Sequence, residues 1–582
     1  MKKKIFAIFM ASLMTVPFAA CGGGNGGGGG DDVDPTKTTV VECLNFNGGV
    51  GQEWLDNAAR RFEKLKENES YETGKTGVKI NVDSEIDLQE NTLSSSGYNI
   101  YFNEHGLSPA ELSQKGYLLN INDIVTQTLE TVDGKEVSIE DKIQADFRSA
   151  LKGADGNYYA LPHYEWYPGV VYDIETFDTY KLYFADNSAS ASENFVTPYG
   201  TAKFVTSLDN SVSKKTCGND GVYGTDDDGL PTTMQELLIL CAKMTKHGVV
   251  PFTVAGFHTD YTAYFQQGLL AAFLGYDGMM NFFDFNGTAD VVTGYAADNL
   301  FVGVDYVKAP VVQKNATITE ETGYLTRDIA ARYYIAGLME VIYKQDWLSQ
   351  DSKNSATHTD TQYNFVFGGA GNKKRIGMLM EGSYWYNEAV NAEIFSDYEA
   401  ITAGKTKKLG WMSLPTSLNT PVTEGNGKEI TLLDTANSFT YINGNTARNE
   451  GLTRACKEFL QFLYTDSELK AFTATTGVTK AAIEYDITDD SIMSKLSDFQ
   501  KSVMSLRSES KVVYANAENV TYKSGRSNFT FTIQAPIWNP ILSNVTYTCY
   551  LDAYRANYKT KDVFEAARIS ADTWANTYYK GA

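Results

Sequence analysis

The sequence predicts an α/β protein built on a largely parallel, doubly wound sheet. Residues 39–46 are rich in β-forming side chains, and residues 78–82 and 98–102 alternate between apolar and polar positions, as strands do. Between the first two strands, apolar residues recur at helical spacing: Trp54, Leu55, Ala58, Phe62 and Leu65. Strands that alternate with helices are typical of parallel sheets, which bind ligands beyond the carboxyl ends of their strands. The loops at 48–53 and 103–107 are therefore the first candidates for a binding site.

The N-terminus predicts export and a lipid anchor. Three lysines precede an apolar stretch at residues 5–16, which is too short to span a bilayer and is typical of a signal peptide. Residues 17–21 resemble a bacterial lipobox, in which Cys21 takes the lipid. We expect a lipoprotein signal peptide at 1–20, palmitate-type acylation of Cys21, a Gly/Asp-rich tether at 21–38, and an extracytoplasmic protein anchored to the cell membrane. The alternative is an ordinary secretory signal followed by an unrelated cysteine.

Composition limits the partners. The chain has 582 residues, 43% of them hydrophobic, so it can bury several modules or a few large lobes. Its net charge of -22 repels phosphate backbones, and we expect no nucleic-acid partner. Five cysteines besides Cys21 show no CxxC pair or zinc spacing, which favours buried thiols over a disulfide framework.

Further along the chain, three helices are predicted. One covers residues 234–244, and a second is indicated by apolar positions from Leu452 to Leu463 at helical spacing. Thr465 and Glu468 have the spacing of a capping box, which predicts that a third helix begins there.

Several blocks, in order, resemble the extracellular solute-binding protein family 1 of bacterial ABC importers, whose better-known members bind maltose and other oligosaccharides. The blocks cover residues 51–54, 98–102, 115–121, 158–162, 169–173, 229–233, 381–385, 410–415 and 454–472. Each block is a hydrophobic pattern with a few glycines, and their order makes the resemblance specific. Residues 184–216 and 295–321 have no counterpart in the pattern.

The resemblance implies a two-lobed, periplasmic-binding-protein-like fold of type II with three hinge crossings near residues 163, 435 and 482. Lobe 1 would comprise residues 39–163 plus 435–482, and lobe 2 residues 164–434 plus 483–582. It further implies a monomeric, non-enzymatic receptor that captures an oligosaccharide or related sugar, closes on it, and delivers it to the permease subunits of an ABC importer.

Sugar recognition needs aromatic platforms for C–H faces and polar side chains for hydroxyl rims. The richest cluster runs from His163 to Tyr167, at the inferred first crossing. Because side chains alternate along an extended segment, either His163, Glu165 and Tyr167 or Tyr164 and Trp166 would face the ligand. The remaining candidates are Glu53, Asn103, Glu104, Tyr261, Ser383, Tyr384, Trp385 and Trp538. For the aromatic candidates the alternative is burial in the core.

Two other functions stay open. Asp220, Asp226 and Asp228 lie in a glycine-rich loop whose carboxylates would suit calcium, although the EF-hand spacing fails and an acidic turn before the helix at 234 is the alternative. No cofactor besides calcium is expected. An anchored glycan-cleaving enzyme would need paired carboxyls from distant segments, and a calcium-dependent glycan-binding surface module would need an open face.

Overall fold

The computed structural model describes residues 33–46, 48–85, 90–104, 107–515, 522 and 535–579, and within these it confirms the α/β class. The signal segment and Cys21 lie outside the described residues. The strands are β1 Thr39–Phe46, β2 Val78–Glu85, β3 Ile100–Asn103, β4 Thr128–Val132, β5 Lys135–Ser138, β6 Leu161–Pro162, β7 Pro168–Asp173, β8 Ser192–Thr197, β9 Gly200–Val205, β10 Val250–Thr253, β11 Gly287–Asn299, β12 Lys308–Ile318, β13 Ile376–Gly382, β14 Leu409–Trp411, β15 Ile430–Asp434, β16 Phe439–Ile442, β17 Ser510–Tyr514, β18 Ile541–Leu542 and β19 Val545–Thr546.

The helices flank the sheets. They are α1 Glu53–Leu65, α2 Glu90–Leu93, α3 Pro109–Gln114, α4 Asn122–Thr126, α5 Ile139–Lys142, α6 Ile174–Tyr180, α7 Met234–Lys246, α8 Thr262–Asp284, α9 Ala330–Lys344, α10 His358–Val366, α11 Trp385–Asn391, α12 Ile394–Ile401, α13 Glu450–Leu463, α14 Asp466–Thr476, α15 Asp490–Met493, α16 Asp498–Ser508, α17 Tyr550–Arg555, α18 Thr560–Ala566 and α19 Ala571–Thr577. No helix among the described residues combines the length and apolar character that a membrane crossing requires.

Two sheets carry the architecture. The first has the order β2-β1-β3-β16-β6, in which β1 pairs in parallel with β2 and β3, whereas β16 runs antiparallel to β3 and β6. The second has the order β10-β13-β7-β14, in which β10 and β13 are parallel and β7 is antiparallel to β13 and β14. Two apolar cores cover the sheets. The core with Trp54 and Phe459 covers the first sheet and extends to Leu379 of the second, and the core with Leu238 and Ile335 packs on the second sheet.

Three passages of the chain lie near residues 163, 435 and 482, where the resemblance implies crossings, and the first of them joins the two sheets. Residues 163–167 join β6 of the first sheet to β7 of the second. Residues 435–438 lead from β15 back to β16 of the first sheet. A third passage, at 477–489, leads from α14 to α15 and α16, and α16 supplies Phe499 against Trp411 of β14.

The capping box predicted at Thr465 is wrong, although the helix itself is confirmed as α14. Thr465 is the N-cap but makes no side-chain cap hydrogen bond. Glu468 instead pairs with Arg61 of α1 at 2.6 Å, because α1 and α14 pack together. The tertiary ion pair therefore replaces the local cap.

The two stretches without a counterpart in the pattern contain antiparallel hairpins. The pair β8 and β9 falls within residues 184–216, and β11 with β12 spans 287–318 and so covers most of the second stretch. The five remaining cysteines are buried free thiols, as expected: Cys43, Cys217, Cys241, Cys456 and Cys549.

Candidate functional site

The first crossing, residues 163–167, lies between the other two. The backbone N–H of His163 donates to the carbonyl of Ser438 at 3.0 Å, and that of Glu165 donates to the carbonyl of Thr479 at 3.1 Å. Ser438 belongs to the second crossing and Thr479 to the third. The segment is extended, so its side chains alternate between two faces.

Tyr164 and Trp166 share one face and converge on Glu104. The indole Nε1 of Trp166 donates to one carboxylate oxygen of Glu104 at 2.9 Å, and the hydroxyl of Tyr164 donates to the other. Glu104 directly follows β3, at the carboxyl edge where a doubly wound sheet is expected to meet ligand. Gly49, in the loop after β1, lies against the same Tyr164 and Glu104 side chains.

Rings from elements of the second sheet complete this arrangement. The ring of Tyr264, on α8, lies 5.3 Å from that of Trp166 at 81°, and the ring of Tyr384, after β13, lies 4.9 Å away at 82°. The two tyrosine hydroxyls are 3.4 Å apart. We call Glu104, Tyr164, Trp166, Tyr264 and Tyr384 the aromatic cluster. Its members come from the loop after β3, the first crossing, α8 and the turn after β13, and all five are buried.

Tyr261 extends the aromatic cluster outward. It is half-buried, and its ring lies 4.9 Å from that of Tyr264 and 5.2 Å from the imidazole of His258. Tyr261 is the N-cap residue of α8 and Tyr264 lies in the first turn of that helix, so the two rings come close together across three positions.

Two carboxyls adjoin the aromatic cluster, and we call them the acid pair. Glu381 is near the end of β13 and Glu388 is on α11. Gln362 of α10 lies between them, since its amide Nε2 donates to Glu381 at 3.2 Å and to Glu388 at 3.1 Å. Burial and the Glu388 carboxylate raise the pKa of Glu381, and burial together with Glu104 raises the pKa of Glu388.

Glu165 lies on the opposite face and is engaged by the protein. Its carboxylate accepts hydrogen bonds from Arg507 at 2.7 Å and from the hydroxyls of Tyr167, Tyr514 and Thr479 at 2.5 to 2.6 Å. Although burial opposes ionisation, Arg507 and these hydroxyls hold the pKa of Glu165 below its ordinary value. This predicted ligand contact is therefore corrected: Glu165 joins the first crossing to the third and to α16.

His163 is also part of the interior and does not face the aromatic cluster through its polar edge. Its Nδ1 lies 3.2 Å from Nζ of Lys480, and its ring packs on Trp54 and Phe102 at 5.3 and 5.5 Å. Burial and the neighbouring Lys480 charge lower the pKa of His163. It belongs to the core of the first sheet, together with Trp54.

The prediction for Trp385 was displaced by one residue. Trp385 is completely buried, with ring contacts to Phe365 and Phe499, so it packs beneath α11. The preceding residue, Tyr384, presents its ring to Trp166. Ser383 stabilises the first crossing, because its Oγ accepts a hydrogen bond from the backbone N–H of Tyr167 at 3.0 Å.

The remaining predicted residues are dispersed. Trp538 is 1% exposed and packs near Tyr550 in the second core, so it does not cover the aromatic cluster. Asn103 is buried at the end of β3, and Glu53 is exposed as the first residue of α1.

In the acidic loop before α7, carboxylates accept hydrogen bonds from the backbone of the same loop. Asp220 accepts from the N–H of Val222 at 2.7 Å, and Asp228 accepts from that of Gly224 at 2.8 Å. Asp226 and Asp227 line one small cavity beside Trp411. Within the described part of the chain, no group of three or more His, Cys, Asp or Glu side chains is arranged to hold a metal ion. The calcium interpretation of Asp220, Asp226 and Asp228 therefore has no support, and the turn interpretation explains the loop.

A groove of about 790 Å3 lies elsewhere, between the β8–β9 hairpin, the start of α7 and residues 419–424. Its lining mixes apolar and polar side chains, with Asp186, Lys203 and Glu424 among the charged ones. None of its lining residues belongs to the aromatic cluster or the acid pair, and we place the candidate site at the crossing because that is where both sheets contribute.

Sequence reasoning missed Gln362, Glu381 and Glu388. One signal was present: Glu381 stands in the otherwise apolar run of β13, where every residue is buried. Ionisable side chains are almost never fully buried without a partner or a function. Gln362 lies in a different helix and carries no comparable signal.

The chain is similar to a known protein family and to several solved structures. The model of the family described as bacterial extracellular solute-binding protein matches residues 54–470. No curated protein matches the chain. A solved structure from work on xylan utilization by the thermophilic bacterium Caldanaerobius polysaccharolyticus shares 13% identity, with a TM-score of 0.50 over 91% of this chain and 99% of that chain.

Two further solved structures have similar coverage. The solute-binding protein RafE in complex with raffinose shares 11% identity, with a TM-score of 0.48 over 91% of this chain and 99% of that chain. A chitin oligosaccharide binding protein shares 12% identity, with a TM-score of 0.49 and the same coverage. The likeness to the structure from the xylan work, at 13% identity, concerns the fold alone.

Proposed function

This chain belongs to the family of bacterial extracellular solute-binding proteins, and from that premise we propose that it captures an oligosaccharide or related sugar between two lobes and delivers it to an ABC importer. The lobes of this proposal comprise residues 39–163 plus 435–482 and residues 164–434 plus 483–582. The protein would act as a receptor and make or break no bond in the sugar.

The aromatic cluster is the observation that carries the proposal. Trp166 offers a flat apolar ring, Tyr264 and Tyr384 stand nearly perpendicular to it, and Glu104 supplies carboxylate oxygens at their edge. Sugars present C–H faces to rings and hydroxyl groups to acceptors, so this mixture of groups suits them. In this proposal Trp166 and Tyr384 contact the sugar faces and Glu104 accepts from hydroxyl groups.

The proposed closure of the two lobes depends on contacting residues that come from both lobes. Glu104 comes from the first lobe, whereas Tyr264 and Tyr384 come from the second, so a guest held by all three bridges the lobes. Such a guest has higher affinity for the closed arrangement than for an open one, and it shifts the population toward closure. The three crossings would act as the hinge.

Binding and compaction together test the proposal. We would titrate the protein, purified without residues 1–20, with a panel of oligosaccharides by calorimetry, and measure its radius of gyration by X-ray scattering with and without each sugar. The receptor predicts that at least one sugar binds and reduces the radius. The Trp166→Ala variant should lose that binding, whereas Glu399→Gln, at an exposed position on α12, should retain it. Absence of binding across the panel would contradict the proposal.

A glycan-cleaving enzyme is the second candidate, and the acid pair is what favours it. Glu381 and Glu388 both have raised pKa values, which is a property of general acids in glycoside hydrolysis. Incubation with the sugars that bind, followed by chromatography, distinguishes the two. The receptor returns the sugar unchanged, whereas an enzyme produces shorter products in proportion to time.

The anchor is a separate proposal. Cys21 would carry the lipid and residues 21–38 would tether the folded part to the cell membrane. Expression in a bacterium fed with labelled palmitate should label the wild type but not Cys21→Ser, and the variant should no longer sediment with membranes. Equal labelling of both proteins would contradict lipidation at this residue.

A further inference from the structure

Among the described residues, the acid pair has more acceptor oxygens than donors that reach them. Gln362 has one amide group to share between Glu381 and Glu388, and its own buried Oε1 has no hydrogen-bond partner. Glu381 also accepts from the backbone N–H of Gly382 at 3.0 Å. Glu104 adds a third carboxylate, which raises the pKa of Glu388. Three acids and the unpartnered amide oxygen of Gln362 thus lie close together.

Two positively charged side chains near the first crossing, Arg507 and Lys480, contact residues other than the acid pair. Arg507 pairs with Glu165 on the opposite face, at 2.7 Å. Lys480 lies beside His163 and over the rings of Trp54 and Phe472, at 4.5 and 4.2 Å. Among the described residues, no lysine or arginine forms an ion pair with Glu381 or Glu388. Buried carboxylates without a cation are costly, because desolvation is not offset by attraction.

Three aromatic rings lie beside the acid pair. The rings of Tyr264 and Tyr384 each make a nearly perpendicular contact with the indole of Trp166, with centroids 5.3 and 4.9 Å away. An ammonium group over such faces is attracted to the ring quadrupoles, and this attraction strengthens when the site excludes water. A neutral sugar would use the same rings but would bring no cation to the acid pair.

We propose that the guest carries a protonated amino group, as an amino sugar does, and that Glu381, Glu388 and the faces of Trp166 and Tyr384 bind that ammonium. This inference rests on the proposed function, since it names the class of saccharide for the same site. The ammonium replaces the missing counter-ion of the acid pair and supplies the donors that Gln362 alone cannot. The remaining sugar rings stack on the aromatic cluster.

Matched ligands test it in calorimetric titrations at pH 7. Glucosamine oligosaccharides should bind at least tenfold more tightly than N-acetylglucosamine oligosaccharides of equal length, because a charged hydrogen bond to carboxylate is lost on acetylation. Glucose oligosaccharides of the same length provide the neutral comparison, and spermidine provides an ammonium without a sugar.

The outcomes are distinguishable. Tighter binding of the free amines supports the inference. Equal or tighter binding of acetylated or neutral sugars overturns it while the saccharide receptor stands. Binding of spermidine but of no saccharide retains the ammonium site and overturns the sugar receptor. Absence of binding by all four ligand types overturns both.

Substitutions in the acid pair and the number of protons released on binding give two further tests of the inference. Glu388→Gln should reduce the preference for the amine at least fivefold, whereas Glu399→Gln should not change it.

A bound cation lowers the pKa of each buried acid, so amine binding near pH 7 should release protons. The release is measured as a dependence of the binding enthalpy on the buffer's ionisation enthalpy. The titratable groups that face the acid pair are Glu104, Tyr164, Tyr261, Tyr264 and Tyr384. Glu381→Gln should diminish this release, and an undiminished release would overturn the assignment.

Discussion

Replacement of Glu165 by glutamine should weaken the hinge without removing a group from the aromatic cluster. The carboxylate is 1% exposed and accepts four side-chain hydrogen bonds, one from the guanidinium of Arg507. Hydrogen bonds to a charged group contribute about 1.5–3 kcal/mol each, and loss of one partner from a buried pair costs about 3–5 kcal/mol. Glutamine keeps one acceptor oxygen, so it retains part of the network. We therefore expect the free energy of unfolding to fall by about 3 kcal/mol.

Urea unfolding at pH 7, followed by circular dichroism, measures the effect. Glu399→Gln makes the same chemical change at an exposed position and should stay within about 0.5 kcal/mol of the wild type. The pKa of Glu165 is held below its ordinary value. Its stabilisation is consequently present above the unfolded-state pKa, near 4.3, and is lost as the pH falls through the folded-state pKa. The difference between wild type and Glu165→Gln should shrink below about pH 4, and a loss under about 1 kcal/mol at pH 7 would refute the reasoning.

Three further predictions concern single side chains. Trp166→Ala should weaken binding of a saccharide by more than about 1 kcal/mol in calorimetry, since it removes the ring that the other rings surround; unchanged affinity would exclude Trp166 from the site. Trp385→Ala should lower the free energy of unfolding by about 3–5 kcal/mol in urea, because it leaves a cavity beneath α11, and a stability equal to that of the wild type would contradict its burial. Burial and Glu388 raise the pKa of Glu381 to about 8, so this acid costs the folded state stability as the pH rises from about 5 to 8. Glu381→Gln should therefore gain up to about 4 kcal/mol over the wild type at pH 8 and little at pH 5, and a gain that does not grow with pH would count against the shift.

The alternation of residues 163–167 was predictable from the sequence, but its orientation was not. An extended segment places Tyr164 and Trp166 on one face and Glu165 on the other whatever surrounds it. The orientation of the segment depends on Arg507, which pairs with Glu165 and lies 342 positions from it in the chain. Only tertiary structure brings it to the crossing.

The first three strands and the helices at 53–65, 234–246 and 450–463 depend on local periodicity, which is why the sequence predicted them. The three crossings were expected from the resemblance to the family. Side-chain direction at a helix start is less secure, because one residue turns a helix by about 100°. That rotation separates Tyr384, which faces Trp166, from Trp385, which is buried. The acid pair depends on α10, α11 and β13 meeting, and no local pattern records such a meeting.

The two faces of the first crossing have a practical consequence for anyone who wishes to change the specificity of the proposed receptor or turn it into a biosensor. Codons 164 and 166 can be randomised in a library while 163, 165 and 167 are kept fixed, because the odd positions hold the crossings together and the even ones adjoin the proposed binding site. In this proposal, alternate residues of one short extended segment separate recognition from hinge bending.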